Sequence, residues 1–338
     1  MAMDEEEYIQ LRQNMLSGEV ASMSNEQKIE WGQQAMLAAL PYYDLIYQEI
    51  VFNQLSDACT FTIAAAQQQY LIRVHFNVST LNVEQEIQWL AYLQQETELT
   101  LPQGIPDRKG RKVQVIVLDG GPTVTVSLMQ WVDGAPIDKG LTEQQAFQEG
   151  VILAKLHLAS KKMVKETSYR KWDEHSLRLA MDRLNEYYHH FLLDEEFALY
   201  KQAALRASAF VQSLEQTPNQ FGLIHADAHQ GNWILYDDEP RLIDFGRCGL
   251  GFYLYDLAHP LLGLSFEHRN QLIRGYKSLI ALESGWVEAL EHFVVMVLVE
   301  NYAHHCSDPR EFEGLKAEQR HALPLIQAYL HGKRFLLS

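Results

Sequence analysis

The chain has 338 residues, 47% hydrophobic and 21% charged, the composition of a globular protein with room for one large domain or two modest ones. Lys and Arg number 28 and Asp and Glu 44, a net charge of 28 − 44 = −16; this repels nucleic acid and anionic membranes and would steer a cationic partner, although simple solubility accounts for it more readily. The acidic N-terminus lacks a secretory pattern, the apolar run Phe293–Val299 is too short to span a bilayer, and Cys59, Cys248 and Cys306 form no CxxC pair, so a cytoplasmic protein with free thiols is expected.

In chain order, residues 1–40 read as a helical extension, with Ser24 and Gln27 as a capping box and Ile29, Trp31, Met36, Leu37 and Leu40 as its apolar face, closed by Pro41. Short β-type runs follow at 46–55, 60–65 and 70–76, then a helix over 83–95, then strands over 113–118 and 123–129. Asp107-Arg-Lys-Gly110 and Asp119-Gly-Gly-Pro122 have turn composition and punctuate them. Beyond 130–134 the pattern is mainly helical, at 141–160, 176–191, 195–214, 254–263, 268–282, 287–306 and 315–330. Short β segments interrupt it around 221–225, 233–236 and 241–244. An α+β protein is expected: a helical extension (1–40), a small, mainly antiparallel β lobe (41–129), a connector (130–134) and a large, mainly helical lobe (135–338).

The chemistry concentrates in Leu223-Ile-His-Ala-Asp-Ala-His-Gln-Gly-Asn-Trp233 and Leu242-Ile-Asp-Phe-Gly246. His225, Asp227 and Asn232 stand in the order H-x-D-x-x-x-x-N, and Asp244 follows Asn232 by twelve residues inside a D-F-G triplet. Phosphoryl transfer from ATP needs a carboxylate beside the attacking hydroxyl and hard oxygen ligands for magnesium near the phosphates. Asp227 suits the first task, and Asn232 with Asp244 the second. The same residue types also serve as Asx-turn and cap residues, but three of them at this spacing favour the chemistry.

The second histidine, in His225-x-Asp227-x-His229-x-x-Asn232, resembles the catalytic loop H-G-D-x-H-x-x-N of the aminoglycoside phosphotransferase and choline kinase group. Gly249-Leu-Gly-Phe-Tyr-Leu-Tyr-Asp-Leu-Ala258 is similar to that family's G-x-x-x-x-D-L-A segment. The resemblance implies a bilobal, protein-kinase-like fold, ATP and Mg2+ as cofactors, and Asp256 as the carboxylate that braces the loop, with His225 and His229 ordering it. It also implies that Arg73, in Tyr70-Leu-Ile-Arg-Val74, holds the nucleotide phosphates in place of the usual lysine and pairs with Glu86, with Glu84 as a competing partner. Gln130 and Val132 would read the adenine edge through their backbones, with Met129 or Trp131 lining the slot. His157 is expected to pack.

The phosphate loop departs from the protein-kinase pattern, since Gln54-Leu-Ser-Asp-Ala-Cys-Thr60 has no glycine; Ser56, Ala58, Cys59 and Thr60 are the candidate donors. Tyr255, Glu300 and His304 are candidate acceptor contacts, with Asn301 on the same helical face, although a polar stripe on a packing helix fits these positions equally. The expected function is ATP- and Mg2+-dependent phosphorylation of a hydroxyl on an aminoglycoside-, choline- or homoserine-like small molecule. A bacterial stress-response-type protein Ser/Thr kinase and a nucleotide-binding pseudokinase scaffold are the alternatives.

Overall fold

The computed structural model describes residues 23–66, 68–137, 140–163 and 168–337. Within the expected N-terminal extension, residues 1–22 lie outside the described residues. The chain divides into two compact units, the first ending at Asp133 and the second beginning at Gly134.

The first unit opens with helix α1 (Asn25–Ala39), capped by Ser24 in a reciprocal box with Gln27. Strands β1 (Tyr47–Leu55), β2 (Cys59–Ala65) and β3 (Gln69–His75) follow, then helix α2 (Thr80–Glu96), capped by Ser79, and strands β4 (Val113–Val117) and β5 (Thr123–Gln130). The strands form one antiparallel sheet in the order β1-β2-β3-β5-β4. Alternation along the strands turns Phe61, Ile63, Ile72, Val74, Val124, Val126 and Leu128 into a shared core with Ala35, Met36 and Ala39 of α1. Gly32 lets α1 approach β2, because a methyl group there would meet the Cys59 side chain at 2.9 Å or closer.

The second unit contains β6 (Ala135–Pro136), α3 (Glu143–Lys162), β7 (Lys171–Trp172), α4 (Glu174–Tyr187), α5 (Asp194–Ser213), β8 (Phe221–Ile224), β9 (Trp233–Tyr236), β10 (Glu239–Leu242), β11 (Gly249–Phe252), α6 (Tyr253–Gly263), α7 (Phe266–Lys277), α8 (Trp286–His305) and α9 (Phe312–Leu330). Two three-stranded sheets, β10-β9-β6 and β7-β11-β8, carry the loops of interest. The two-residue strands β6 and β7 have no signal of their own in the sequence; each is extended because a neighbouring strand pairs with it. α8 is buried along most of its length and forms the spine of the helical core.

α3 and α7 cross at two glycines. A methyl group at Gly150 would collide with the Leu272 carbonyl oxygen, and one at Gly275 with the Phe147 carbonyl oxygen. Gly150→Ala should therefore destabilise the protein by about 3 kcal/mol through overpacking, despite alanine's better helix propensity. Urea-unfolding midpoints of the two proteins check this.

Candidate active site

In the first unit, Arg73 on β3 and Glu86 on α2 form a two-pronged ion pair, Nη1–Oε1 at 2.7 Å and Nη2–Oε2 at 3.0 Å, both side chains buried. The structure thus selects Glu86 over Glu84, which points to solvent. Arg73 Nε also donates to Ser127 Oγ at 3.3 Å. Opposite Arg73 in the β2–β3 pairing sits Thr60, whose hydroxyl accepts from Asn53 Nδ2 at 3.1 Å and donates to the Gln54 carbonyl at 3.3 Å. The Thr60 hydroxyl therefore closes the β1–β2 hairpin. At the hairpin tip the Ser56 N–H donates to the Ala58 carbonyl at 3.1 Å. Cys59 is buried, and burial pushes its thiol up to about 11. Met129 and Val132 are buried. The Gln130 N–H is committed to the Gln103 carbonyl at 2.7 Å, so that group does not take part in reading an adenine edge.

In the second unit the loop 225–232 runs from β8 to β9. Asp256, on the first turn of α6, accepts the His225 N–H at Oδ2 (2.8 Å) and the Ala226 N–H at Oδ1 (2.6 Å). His157 Nε2 lies 3.0 Å from the same Oδ2, and His157 Nδ1 2.9 Å from the Tyr276 hydroxyl. Burial alone would raise the Asp256 pKa, but the hydrogen bond and charge of its donors outweigh it, and the carboxyl stays below its ordinary value. Burial pushes the His157 imidazole down. The consistent assignment is an aspartate accepting a neutral imidazole's N–H, with Tyr276 donating to the imidazole's other nitrogen. His157 is thus a hydrogen-bonded strut and not only a packing residue.

Ala226, where the family motif has glycine, adopts φ +64. That left-handed conformation costs alanine roughly 1–2 kcal/mol, which the short bond from Asp256 offsets. The turn directs Asp227. The Asp227 N–H donates to His225 Nδ1 at 3.1 Å, which leaves the proton on Nε2, 3.0 Å from the Ile243 carbonyl. His225 therefore links the loop to the residue before Asp244. The Asn232 amide donates to the Asp227 carbonyl at 2.8 Å and to Asp227 Oδ2 at 3.2 Å, turning its oxygen away from Asp227. Asp244 is exposed at φ +62, outside the strand geometry on either side. His229 Nδ1 accepts the Gly231 N–H at 3.0 Å, and Nε2 lies 3.8 Å from Asp227 Oδ2. An amide oxygen and an exposed carboxylate are hard donors, of the kind that suit Mg2+ or Ca2+.

Several residues of this region carry no motif signal. Arg247 Nη1 approaches Asp227 Oδ1 at 3.4 Å and Asn301 Oδ1 at 3.5 Å, its guanidinium lies over the Trp172 ring at 4.6 Å, and Trp172 Nε1 donates to its carbonyl at 3.0 Å. Burial would raise the Asp227 pKa; the Arg247 charge, joined by nearby imidazoles, outweighs burial and holds it below the ordinary carboxylate value. His259 Nδ1 is 4.0 Å from Asp227 Oδ1, and burial holds that imidazole down at about 3, so it is neutral. Arg247 is thus the cation that sets the state of Asp227.

Tyr255 donates to Glu300 Oε2 and Ser176 Oγ to Glu300 Oε1 at 2.6 Å, while burial pushes the Glu300 carboxyl up to about 7. Tyr255 also stacks on Trp172, at 5.8 Å and 20°. Tyr255 and Glu300 therefore join the network around Asp227. His304, one turn further along α8, is half-buried with its ring edge-on to His305 and is not among the residues these bonds connect.

Glu149 on α3 reaches the loop from behind, accepting from Gln230 Nε2 at 3.0 Å, while its other oxygen is buried without a hydrogen-bond partner among the described residues.

A profile of the phosphotransferase enzyme family matches residues 52–289. The chain belongs to that family, and it is a kinase acting on a hydroxyl group. Amicoumacin kinase of Bacillus subtilis (strain 168) is 18% identical over 287 residues, 79% of this chain and 82% of that one. Among solved structures, the microcompartment-associated aminopropanol kinase superposes with TM-score 0.75 at 24% identity, covering 90% of this chain and all of the other. Amicoumacin kinase hAmiN in complex with AMP-PNP, Ca2+ and Ami gives 0.74 at 17%, covering 90% and 96%. At these identities the superpositions establish the protein-kinase-like fold.

Burial pushes the Glu149 carboxyl up to about 8 from 4.5. Between those values the folded chain keeps a proton that the unfolded chain has lost, so stability falls as pH rises through that window. Glu149→Gln, which mimics the protonated acid, should leave the urea midpoint near wild type at pH 5 and raise it above wild type at pH 8.5. Equal midpoints at both pH values would show that Glu149 ionises as an ordinary carboxylate.

Proposed function

We propose that this protein transfers the γ-phosphate of ATP to a hydroxyl of a small molecule in a Mg2+-dependent reaction, with Asp227 as the base. The observation that carries this reading is the state of Asp227. It is an ionised carboxylate, held through its backbone by His225 and its side chain by Asn232, with 16% of the side chain still open to solvent. A hydroxyl donating to that carboxylate is oriented for in-line attack on the γ-phosphorus. As the new P–O bond forms, the bond to the bridging oxygen breaks, ADP departs, and the hydroxyl proton passes to Asp227.

Asn232, through its amide oxygen, and Asp244 are the residues we assign to magnesium, which when bound would neutralise charge on the phosphates. Arg73, fixed flat by Glu86, is assigned to the phosphates, with the Ser56 hydroxyl at the β1–β2 turn as a further donor. Met129 and Val132 are assigned to the adenine. In this scheme residues 41–129 serve the nucleotide, 130–134 form the hinge, and 135–338 carry catalysis and the acceptor. A small-molecule acceptor is supported by the relatives named for amicoumacin and aminopropanol. Residues Tyr255 and Glu300 are the acceptor contacts we assign.

Asp227→Asn should lower kcat by about 10²–10⁴-fold, the range of a lost general base, with ATP affinity nearly unchanged in a calorimetric titration. Turnover within about tenfold of wild type would remove Asp227 from this role. Asp244→Ala should abolish the Mg2+ dependence of nucleotide binding; unaltered binding with and without Mg2+ would refute the metal assignment.

A further inference from the structure

Two buried histidines beside the 225–232 loop are matched at both ring nitrogens, His157 by Asp256 and Tyr276, and His225 by the Asp227 N–H and the Ile243 carbonyl. His259, on α6 one turn after Asp256, is 1% exposed, and among the described residues neither of its nitrogens has a hydrogen-bond partner. Burying an unmatched imidazole costs stability, and a ring of similar size without nitrogens would not incur that cost. The Tyr255 ring packs against it in a T-shaped contact, centroids 4.9 Å apart at 76°. Nδ1 faces Asp227 Oδ1 at 4.0 Å, beyond hydrogen-bond reach. A ring proton on Nδ1 would draw the ionised carboxylate into a charge-assisted bond of about 2.8 Å. The separation therefore places the proton on Nε2 and turns a bare lone pair towards Asp227.

Resting on the reading of Asp227 as base, we infer that His259 is a positioning residue whose bare Nδ1 receives the Asp227 O–H once the acceptor's proton has arrived there. As the acceptor oxygen bonds to the γ-phosphorus, its O–H bond breaks and the proton passes to Asp227. The bond from phosphorus to the bridging oxygen breaks, and ADP keeps that electron pair. Asp227 is then a neutral acid with a donor on Oδ1, which turns to Nδ1 and closes the gap from 4.0 Å to about 2.8 Å. The proton stays on Asp227 while the phosphorylated product leaves. Oδ1 thus stands between two groups of opposite preference. Arg247 Nη1, at 3.4 Å, attracts the charged form, and a bare imidazole nitrogen bonds only the protonated one. Burial keeps this imidazole neutral, so the lone pair stays available and no second cation stands beside the base.

The test uses the full chain with nitrogen-15 in the histidine rings and reads the two His259 nitrogens by NMR, identified as the signals missing from His259→Phe. At neutral pH the proton should sit on Nε2, with Nδ1 at the shift of an unprotonated nitrogen. A proton on Nδ1 overturns the inference, because His259 would then be one more donor to the charged carboxylate. Kinetics give the second reading, as ADP release from ATP and Mg2+ with water, glycerol and ethanolamine as acceptors. His259→Phe should lower kcat about tenfold, leave the KM for ATP nearly unchanged, and melt at or above the wild-type temperature. His259→Asn sets a carbonyl oxygen where Nδ1 stood and should recover part of the rate. Undiminished kcat in His259→Phe, or a lowered melting temperature with no recovery in His259→Asn, assigns the ring to packing and overturns the inference. Asp227→Asn separates the two readings. Turnover near wild type in it sinks the base whatever the His259 tautomer, whereas turnover lost in it beside an undiminished His259→Phe sinks the His259 role and spares the base.

Discussion

Asp256 carries a charge where no water solvates it, and that can persist only while its donors stay in place. Two of those donors are consecutive backbone N–H groups, those of His225 and Ala226, and the third belongs to His157, itself tied to Tyr276. The same bonds that keep the carboxylate satisfied hold Ala226 at positive φ, and that φ in turn aims Asp227. His225 then passes the constraint to Ile243 and so to Asp244. One buried charge on α6 thereby fixes the 225–232 loop and, through it, the start of the D-F-G turn.

The protein uses arginine in two ways that burial alone does not distinguish. Arg73 is saturated by the two oxygens of Glu86 and presents a rigid, oriented cation. Arg247 is spread between Asp227 and Asn301 and steadied by an aromatic face. The first arrangement fixes a guanidinium flat between a strand and a helix; the second places charge beside the Asp227 carboxylate. The low pKa of Asp227 and the raised pKa of Glu300 follow from the same contrast, since Arg247 lies against one carboxyl while burial dominates the other. Behind the loop, Glu149 tethers Gln230, and the helix carrying it approaches α7 closely because glycines stand at the crossing.

The Asp227–Asn232 contact, the Arg73–Glu86 pair and the Asp256 brace were legible because each belongs to a patterned short segment, and such a pattern survives in one dimension. The capping box at Ser24 and the alternating strands of the first sheet were legible for the same reason. The partner of the Gln130 N–H, Gln103, lies in an irregular stretch with no pattern to announce it. The β1–β2 turn was read as a set of donors, yet the Thr60 hydroxyl closes its own hairpin, an outcome set by strand register.

By itself, the order of residues determined the class of protein, since H-x-D-x-x-x-x-N followed by D-F-G is a family pattern carried in two short segments. Only the tertiary structure decided what surrounds them. Arg247, Trp172, His157, Glu149 and Glu300 come from four separate elements, His157 and Glu149 sharing α3, and no spacing in the sequence ties them to that loop. Their environments follow from desolvation and from partners between 20 and 124 residues away along the chain, and those quantities exist only once the helices have packed.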